Sequence, residues 1–156
     1  MLRTAKEEDS KRIDVLRKQT RDLHVKFKPE LFKQYSSFDE EYTKLVINGE
    51  ESDILVCEDE GKIISYMIVK KIIKPENQYC FERKYLLIED FGVDETYQHK
   101  GIGTKLFGFC KEYAKEIGFE DIKLDVWAFN ENAFKFYEKR GFKIERYYMD
   151  YVIDEK

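Results

Sequence analysis

Apolar residues recur along this chain at two spacings, one typical of helices and one typical of strands. They recur every three or four positions from Asp9 or Ser10 to about His24, and again after residues 36–39 up to Asn48-Gly49. This spacing predicts an amphipathic helix in each segment, because it places the apolar side chains on one face. The residues that we expect on the buried side of the first helix are Ile13, Leu16 and Leu23.

The remaining chain alternates between strand-like and helix-like segments. The pattern predicts strands at residues 1–6, 53–58, 62–71, 85–93 and 122–126, and helices at 100–117 and 130–140. Asp59-Glu60-Gly61 predicts a hairpin turn. Residues 142–154 predict one or two final strands. Five aromatic residues are expected to fill the core or to line a cleft: Trp127, Phe129, Tyr147, Tyr148 and Tyr151. With no repeat or linker, residues 1–156 are expected to form one α/β (α+β) domain.

Composition excludes several classes of function. The chain is 42% hydrophobic and 38% charged, with a formal net charge of −4 and no long block of like charges. We therefore expect no nucleic-acid partner, and the mildly acidic surface weakly favours a cationic substrate. The three cysteines lack a Cys-x-x-Cys pairing, and the two histidines are far apart, so we expect neither a disulfide framework nor a metal site. No run approaches about 18 apolar residues and no apolar leader is visible, so we expect a cytoplasmic protein without a membrane partner.

A glycine turn separates the predicted strand at 85–93 from the helix that follows. A glycine turn that opens a helix can bind phosphate, because the first N–H groups of the helix lack partners and the helix dipole is positive there. The third glycine of a dinucleotide-binding fingerprint and the Gly-Lys-Ser/Thr of a Walker A loop are both absent. Taken alone, the turn is equally compatible with a tight connection. Its residues are Gln98, His99, Lys100, Gly101, Ile102, Gly103 and Thr104.

A second motif lies downstream, and the two together resemble the GNAT superfamily of acyl-CoA-dependent N-acetyltransferases. Gln98, Gly101 and Gly103 match the pyrophosphate motif of that family. Its second motif, N-x-x-A-x-x-x-Y-x-x-x-G-F, is matched by Asn130, Ala133, Tyr137, Gly141 and Phe142. The segment 86–93 is also similar to the family strand that precedes the phosphate turn, so the resemblance covers roughly residues 84–150.

The resemblance implies a GNAT-type fold, with a mixed central sheet, a splayed central strand and helices on both faces. It also implies acetyl-CoA as the cofactor. The N–H groups of the turn, with the Thr104 hydroxyl, would face the CoA pyrophosphate, and the Val93 N–H would polarise the thioester carbonyl. The residues implied in cofactor binding are Phe91, Gly92, Val93, Gln98, His99, Lys100, Gly101, Ile102, Gly103, Thr104, Asn130, Ala133, Phe134, Tyr137 and Lys139.

Glu89 and Asp90 stand within the apolar strand at 85–93. In a regular strand, Glu89 shares a face with Leu87, Phe91 and Val93, and Asp90 shares the other face with Leu86 and Ile88. Two carboxylates in so apolar a run are costly to bury without partners. We expect Glu89 to be the catalytic base or proton relay, and Asp90 to bind the amine or to have a structural role. Solvated carboxylates at a strand end are the alternative.

Tyr137 is the predicted catalytic acid. Helical spacing places it on one face with Asn130, Ala133 and Phe134. A phenol with a pKa near 10 is protonated at pH 7 and can donate to a leaving thiolate. A tyrosine on an apolar helix face is otherwise usually a core residue, and only the flanking motif distinguishes this one.

The predicted reaction is direct acetyl transfer from acetyl-CoA to a primary amine in a ternary complex. Similarity of the strand to those of diamine and polyamine N-acetyltransferases favours a small cationic amine or polyamine. A protein N-terminus, a lysine and an antibiotic are alternative acceptors, and a non-catalytic acyl-CoA-binding module is an alternative function. Homodimers are common among proteins of this resemblance, so a homodimer is also among the expectations.

Overall fold

The computed structural model describes residues 1–34 and 39–154. The chain divides into two compact units, Met1–Asp125 and Val126–Lys156. In these described residues, the first unit contains the sheet and three α-helices, and the second contains one α-helix. The single domain predicted for residues 1–156 remains a prediction.

The first unit alternates strands and helices in the predicted order. Its elements are β1 (Leu2–Thr4), α1 (Ser10–Phe27), α2 (Glu40–Asn48), β2 (Ser52–Asp59), β3 (Lys62–Lys74), β4 (Arg83–Val93), α3 (Ile102–Glu116) and β5 (Asp121–Leu124). One-turn 3-10 helices precede α1 and α3.

The five strands form one mixed sheet in the order β1-β2-β3-β4-β5. The first four pair antiparallel, and β5 lies parallel to β4. Helices cover both faces of the sheet. The mixed α/β architecture predicted from the sequence is therefore confirmed.

The two faces of the sheet bury different apolar sets. On one face, Ile13 and Leu16 of α1 pack in a cluster with Ile54, Tyr66 and Ile68, all of them fully or almost fully buried. Alternate residues of each strand direct their side chains to the opposite face of the sheet. Helix α3 covers that face and contacts β2, β3, β4 and β5. The buried residues of α3 are Leu106, Phe107, Cys110 and Ala114. The site described below lies on the face covered by α1.

Local signals account for most element boundaries. Asp39 accepts a hydrogen bond from the Tyr42 N–H at 3.3 Å and caps the N-terminus of α2. Aspartate is among the preferred N-cap residues, because its carboxylate accepts hydrogen bonds from the first N–H groups of a helix. Glu60 and Gly61, both with positive φ, close the predicted hairpin between β2 and β3. Helix α1 continues past His24 to Phe27, and Leu23 is exposed, not buried as predicted. Leu23 follows the helical spacing of Ile13 and Leu16, but the buried residues of α1 all lie in the first half of the helix. Residues 36–38, which were predicted to precede the second helix, α2, lie outside the described residues.

The second unit contains α4 (Glu131–Lys139), within one residue of the predicted bounds. The prediction of final strands at residues 142–154 is wrong: the described part of this segment contains no strand. Tyr147, Tyr148 and Tyr151 are strongly exposed and do not fill a core. The alternation of residues along this segment specifies which side chains would share a face of a strand. A strand also needs a neighbouring strand to pair with its N–H and C=O groups, and the alternation does not supply one.

Candidate active site

A β-bulge in β4 brings Glu89 and Asp90 to the same side of the sheet. Ile68 of β3 pairs with Asp90, and the next residue, Val69, pairs with Ile88, so Glu89 is an extra residue without a partner in the register. A bulge of this kind interrupts the alternation of side chains along a strand.

The predicted distribution of side chains along β4 is therefore wrong after Glu89. Paired residues lie on the same face, so Asp90 lies with Ile68 on the α1 face, whereas Ile88 lies on the opposite face. Phe91 and Val93 likewise move to the face opposite Glu89. The bulge gives the α1 face two adjacent carboxylates that a regular strand would separate.

A cavity of about 350 Å³ lies between α1 and these carboxylates. Residues 17, 20, 21 and 24 share one face of α1, because they follow the i, i+3, i+4, i+7 spacing. The polar and charged groups that α1 and β4 contribute to the lining are Arg17, Thr20, Arg21, His24, Glu89 and Asp90.

Asp90 is held at both carboxylate oxygens. Tyr66 Oη donates to its Oδ1 at 2.9 Å, and Arg17 Nε donates to its Oδ2 at 3.2 Å. Thr20 Oγ1 lies 3.2 Å from the same tyrosine hydroxyl. Burial and then the charge of Asp90 raise the pKa of Tyr66 well above its ordinary value, because both disfavour the phenolate. Tyr66 is therefore a neutral donor that fixes the carboxylate.

Arg17 connects Asp90 to α2. Its Nη1 lies 3.4 Å from Asp14 Oδ1 and 3.1 Å from Thr43 Oγ1, and its guanidinium stands 4.8 Å from the centre of the Tyr42 ring. Burial opposes the charged form of Arg17, but the charge and hydrogen bond of Asp90 outweigh it and raise the arginine pKa. The guanidinium is thus a permanent positive charge in the cavity wall.

Glu89 contrasts with its neighbour. Its side chain is exposed at the cavity, and no ion pair or hydrogen bond to it occurs in residues 1–34 and 39–154. Of the two predicted carboxylates, Glu89 therefore keeps its oxygens available for a ligand.

His24 also lines the cavity, with its ring 5.1 Å from that of Phe32. Burial lowers its pKa, partly offset by the charge of Asp90. A pKa below the ordinary value leaves the imidazole neutral at pH 7.

The far end of β4 has an open edge. The last pairing of β5 joins Leu124 to Ile88, so residues 89–93 have β3 as their only strand neighbour in the sheet that the described chain forms. The Asp94 N–H donates to the Ile64 carbonyl at 2.8 Å, so in the alternating antiparallel ladder Val93 directs its N–H and C=O away from β3. The Val93 carbonyl accepts from Gln98 Nε2 at 3.2 Å. This end of β4 is thus open beside the turn at 98–104.

The turn at 98–104 opens α3 with a glycine. Gly101 caps α3 with a φ of 78°, without a side-chain hydrogen bond to the first helical turn. A Cβ at Gly101 would meet nothing within 4 Å, so the approach to the backbone is open. His99 also has a positive φ. Gly101 has no side chain with which to cap the first turn of α3, and N–H groups at the start of a helix are donors suited to an anion.

In the second unit, the spacing of the second motif follows from the caps of α4. Asn130 Oδ1 accepts from the Ala133 N–H at 3.2 Å, which makes Asn130 the N-cap. At the other end, the Phe142 N–H donates to the Tyr137 carbonyl and the Gly141 N–H to the Glu138 carbonyl, as in a Schellman motif.

The same motif orients the Tyr137 ring. Phe142 packs against it edge-on with ring centres 5.3 Å apart, which is the hydrophobic contact expected in this motif. The phenol is half-buried. Phe134 and Lys139, also predicted in cofactor binding, lie on α4 and are exposed.

Sequence reasoning missed the contribution of α1. Arg17, Thr20, Arg21 and His24 line the cavity, and their polar helical spacing beside the buried positions Ile13 and Leu16 was the available signal. In residues 1–34 and 39–154, no three His, Cys, Asp or Glu side chains are grouped to hold a metal ion. None of the described helices is long and apolar enough to cross a membrane.

Comparisons with known proteins agree with this geometry. The model of the acetyltransferase (GNAT) family matches residues 17–142. An uncharacterised N-acetyltransferase of Methanocaldococcus jannaschii is 29% identical to this chain. The match covers 82% of this chain and 60% of the length of that relative. Streptothricin acetyltransferase A of Bacillus subtilis is 31% identical over 76% of this chain and 62% of its own length.

Among solved structures, a tetramutant of the BH1408 protein from Bacillus halodurans superposes with a TM-score of 0.93. It is 30% identical, and the match covers 98% of this chain and 99% of the other. The family model, these relatives and the β4 geometry agree: the chain belongs to the GNAT family of acetyltransferases.

Proposed function

We propose that this protein transfers an acetyl group from acetyl-CoA to a small primary amine by direct attack in a ternary complex. The observation that carries the proposal is the end of β4, where an open backbone edge, a bulge with an available carboxylate and a glycine turn that opens α3 lie in succession. Acetyl-CoA supplies the acetyl group as a reactive thioester.

The turn and the open edge of β4 hold the acetyl donor in this proposal. Backbone N–H groups from His99 to Thr104 receive the pyrophosphate, since Gly101 leaves the approach open. The Val93 N–H points away from β3 and donates to the carbonyl oxygen that becomes negative during attack. Gln98 supports this arrangement because its hydrogen bond orients the Val93 peptide.

Glu89 accepts the proton of the amine. An alkylamine with a pKa near 10.4 is neutral in only about one molecule in a few thousand at pH 7, so a base is needed near the amine. Glu89 is available for this role, directly or through water, whereas Asp90 is held by Arg17 and Tyr66. We assign Asp90 the structural alternative, as the group that fixes Arg17 in the cavity wall.

Tyr137 protonates the departing thiolate. In the step as a whole, Glu89 first takes one proton from the ammonium group, and the neutral amine nitrogen then bonds to the acetyl carbon as the carbon–sulfur bond breaks. Tyr137 donates its proton to sulfur, and the second proton lost by the nitrogen returns to the Tyr137 oxygen. The Schellman motif supports this role, because it keeps the phenol ring of Tyr137 in one orientation against Phe142.

Steady-state kinetics with a panel of primary amines tests the proposal. Tyr137→Phe and Glu89→Gln should each lower kcat by about 10²–10⁴-fold, as expected for loss of a general acid or base, while CoA binding measured by calorimetry persists. The matched controls are Tyr148→Phe, at a fully exposed side chain, and Glu76→Gln, at an exposed residue of the segment between β3 and β4. Tight CoA binding without turnover of any amine would instead support a non-catalytic acyl-CoA-binding module.

A further inference from the structure

Two adjacent carboxylates line the cavity, but their surroundings differ. The bulge in β4 places Glu89 and Asp90 on the same face of the sheet. Asp90 accepts from Arg17 Nε at 3.2 Å and from Tyr66 Oη at 2.9 Å. No such donor reaches Glu89 within the part of the chain that the structure describes. Because two like charges side by side favour protonation of one of them, the donors around each carboxylate decide which one takes the proton.

Arg17 is held in place by residues of α1, α2 and β4. Its Nη1 lies 3.1 Å from Thr43 Oγ1 and 3.4 Å from Asp14 Oδ1, while its Nε donates to Asp90. The Arg17 side chain is 11% exposed and that of Asp14 is fully buried. Thr43 also donates to Asp14. The guanidinium therefore cannot turn away from Asp90 without losing several hydrogen bonds.

The ion pair between Arg17 and Asp90 is largely shielded from water, with the Asp90 side chain 21% exposed. Desolvation offsets much of the attraction within a pair of this kind, so the pair is weak evidence for stabilisation of the fold. Its two charges still act on a third charge nearby, because Coulomb energy falls only as the inverse of distance. The neighbouring charge on β4 is that of Glu89.

We propose that Arg17 is a positioning residue of acetyl transfer: its ion pair compensates Asp90 and leaves Glu89 as the carboxylate that takes the proton of the amine. This inference rests on the proposed acetyl transfer. Without the guanidinium, the negative charge of Asp90 would lie uncompensated beside Glu89, and Glu89 would hold a proton more tightly. A base that is already protonated cannot accept the proton of the amine.

Other titratable groups also line the cavity with Glu89. They are Arg21 and His24 of α1 and Tyr42 of α2, whereas β3 contributes the apolar Ile68. Arginine and tyrosine side chains do not ordinarily titrate between about pH 4 and 8, but histidine does. Burial lowers the pKa of His24, so this ring gains its charge on the acid side of the ordinary value. Each measurement below is therefore repeated in a His24→Gln background.

The pH dependence of kcat/KM tests the inference, because its acid limb reports the base of the free enzyme. Arg17→Gln should move this limb to higher pH by about one unit, as expected for loss of a compensating charge near the base. Asp90→Asn should move it to lower pH, because a negative charge is removed instead. The double variant Arg17→Gln/Asp90→Asn should bring the limb back towards that of the parent, since the two charges removed are opposite.

Further variants separate charge from structure. Arg17→Lys keeps the positive charge and should restore most of the position of the limb, and Glu89→Gln should abolish the limb in the residual activity. Lys18→Gln is the matched control, because Lys18 lies on the same helix in a half-exposed ion pair with Asp22. It should leave the limb unchanged. Thermal melts show whether each variant is folded, and if Arg17→Gln is not, the direction of the shift in Asp90→Asn decides.

The outcomes distinguish the inference from the proposed function. Shifts of opposite sign for Arg17→Gln and Asp90→Asn support the inference. A decrease in kcat/KM by the same factor at every pH overturns it and leaves acetyl transfer standing, because a merely structural role predicts that result. Absence of turnover by the parent with every amine, despite CoA binding, overturns the proposed function and the inference with it.

Discussion

Gly92 occupies a position where the structure leaves no room for a methyl group. A Cβ there would lie 2.7 Å from Cε1 of Tyr66 and 2.9 Å from Oγ1 of Thr20. Carbon atoms in contact normally lie about 3.5–4.0 Å apart. Tyr66 does not move easily, because it is fully buried and its hydroxyl is hydrogen-bonded to Asp90.

Gly92→Ala should therefore destabilise the protein by about 1–3 kcal/mol, the usual cost of overpacking. For a chain of this length, about 2–4 °C per kcal/mol gives a decrease in Tm of about 2–12 °C. Differential scanning calorimetry measures this change. The same displacement of Tyr66 and Asp90 should raise KM for the acceptor, since both groups fix the cavity wall.

Gly108→Ala is the matched control. Gly108 lies inside α3, and a Cβ there would meet nothing within 4 Å. Alanine is favoured over glycine in a helix by about 0.8–1 kcal/mol, so the same substitution should raise Tm by about 2–4 °C. A Gly92→Ala protein as stable as the parent would refute the packing of Tyr66 against β4.

Two further predictions concern titration and thiol reactivity. Burial opposes the charged form of Asp94, but hydrogen bonds from Thr96 and Arg12 outweigh it and lower the carboxyl pKa to about 2. The stabilisation is present above the ordinary pKa of 3.8 and is lost as the pH falls towards 2. Asp94→Asn should thus be less stable than the parent at pH 7 and approach it near pH 2, as urea denaturation at each pH would show; a constant difference would contradict this. Cys80 is exposed, whereas Cys57 and Cys110 are buried and burial raises the pKa of Cys110 to about 12. One thiol per native chain should react rapidly with Ellman's reagent, and Cys80→Ser should abolish that reaction; rapid reaction of two thiols would contradict the burial of Cys57 in β2 or of Cys110 in α3.

Local patterns explain what the sequence could predict. The hairpin at Asp59-Glu60-Gly61 follows from residues that accept positive φ. The second motif could be read correctly as a helix because both caps of α4 lie within the motif itself. In each case the determining residues are neighbours in the chain.

Features that depend on distant residues were missed. The bulge at Glu89 is a property of the register between β3 and β4, and nothing in the sequence of β4 alone places it there. Arg17 and Asp90 are separated by 73 positions in the chain but form an ion pair. Because the cavity is made by these long-range contacts, the sequence identified its carboxylates but not its arginines.

The most direct test of the account is a crystal structure of the protein with acetyl-CoA bound. The account predicts the pyrophosphate on the backbone N–H groups between His99 and Thr104, and the thioester oxygen within hydrogen-bond distance of the Val93 N–H. It would be contradicted by a pyrophosphate bound elsewhere, or by a Val93 N–H that contacts neither the thioester nor the pantetheine arm.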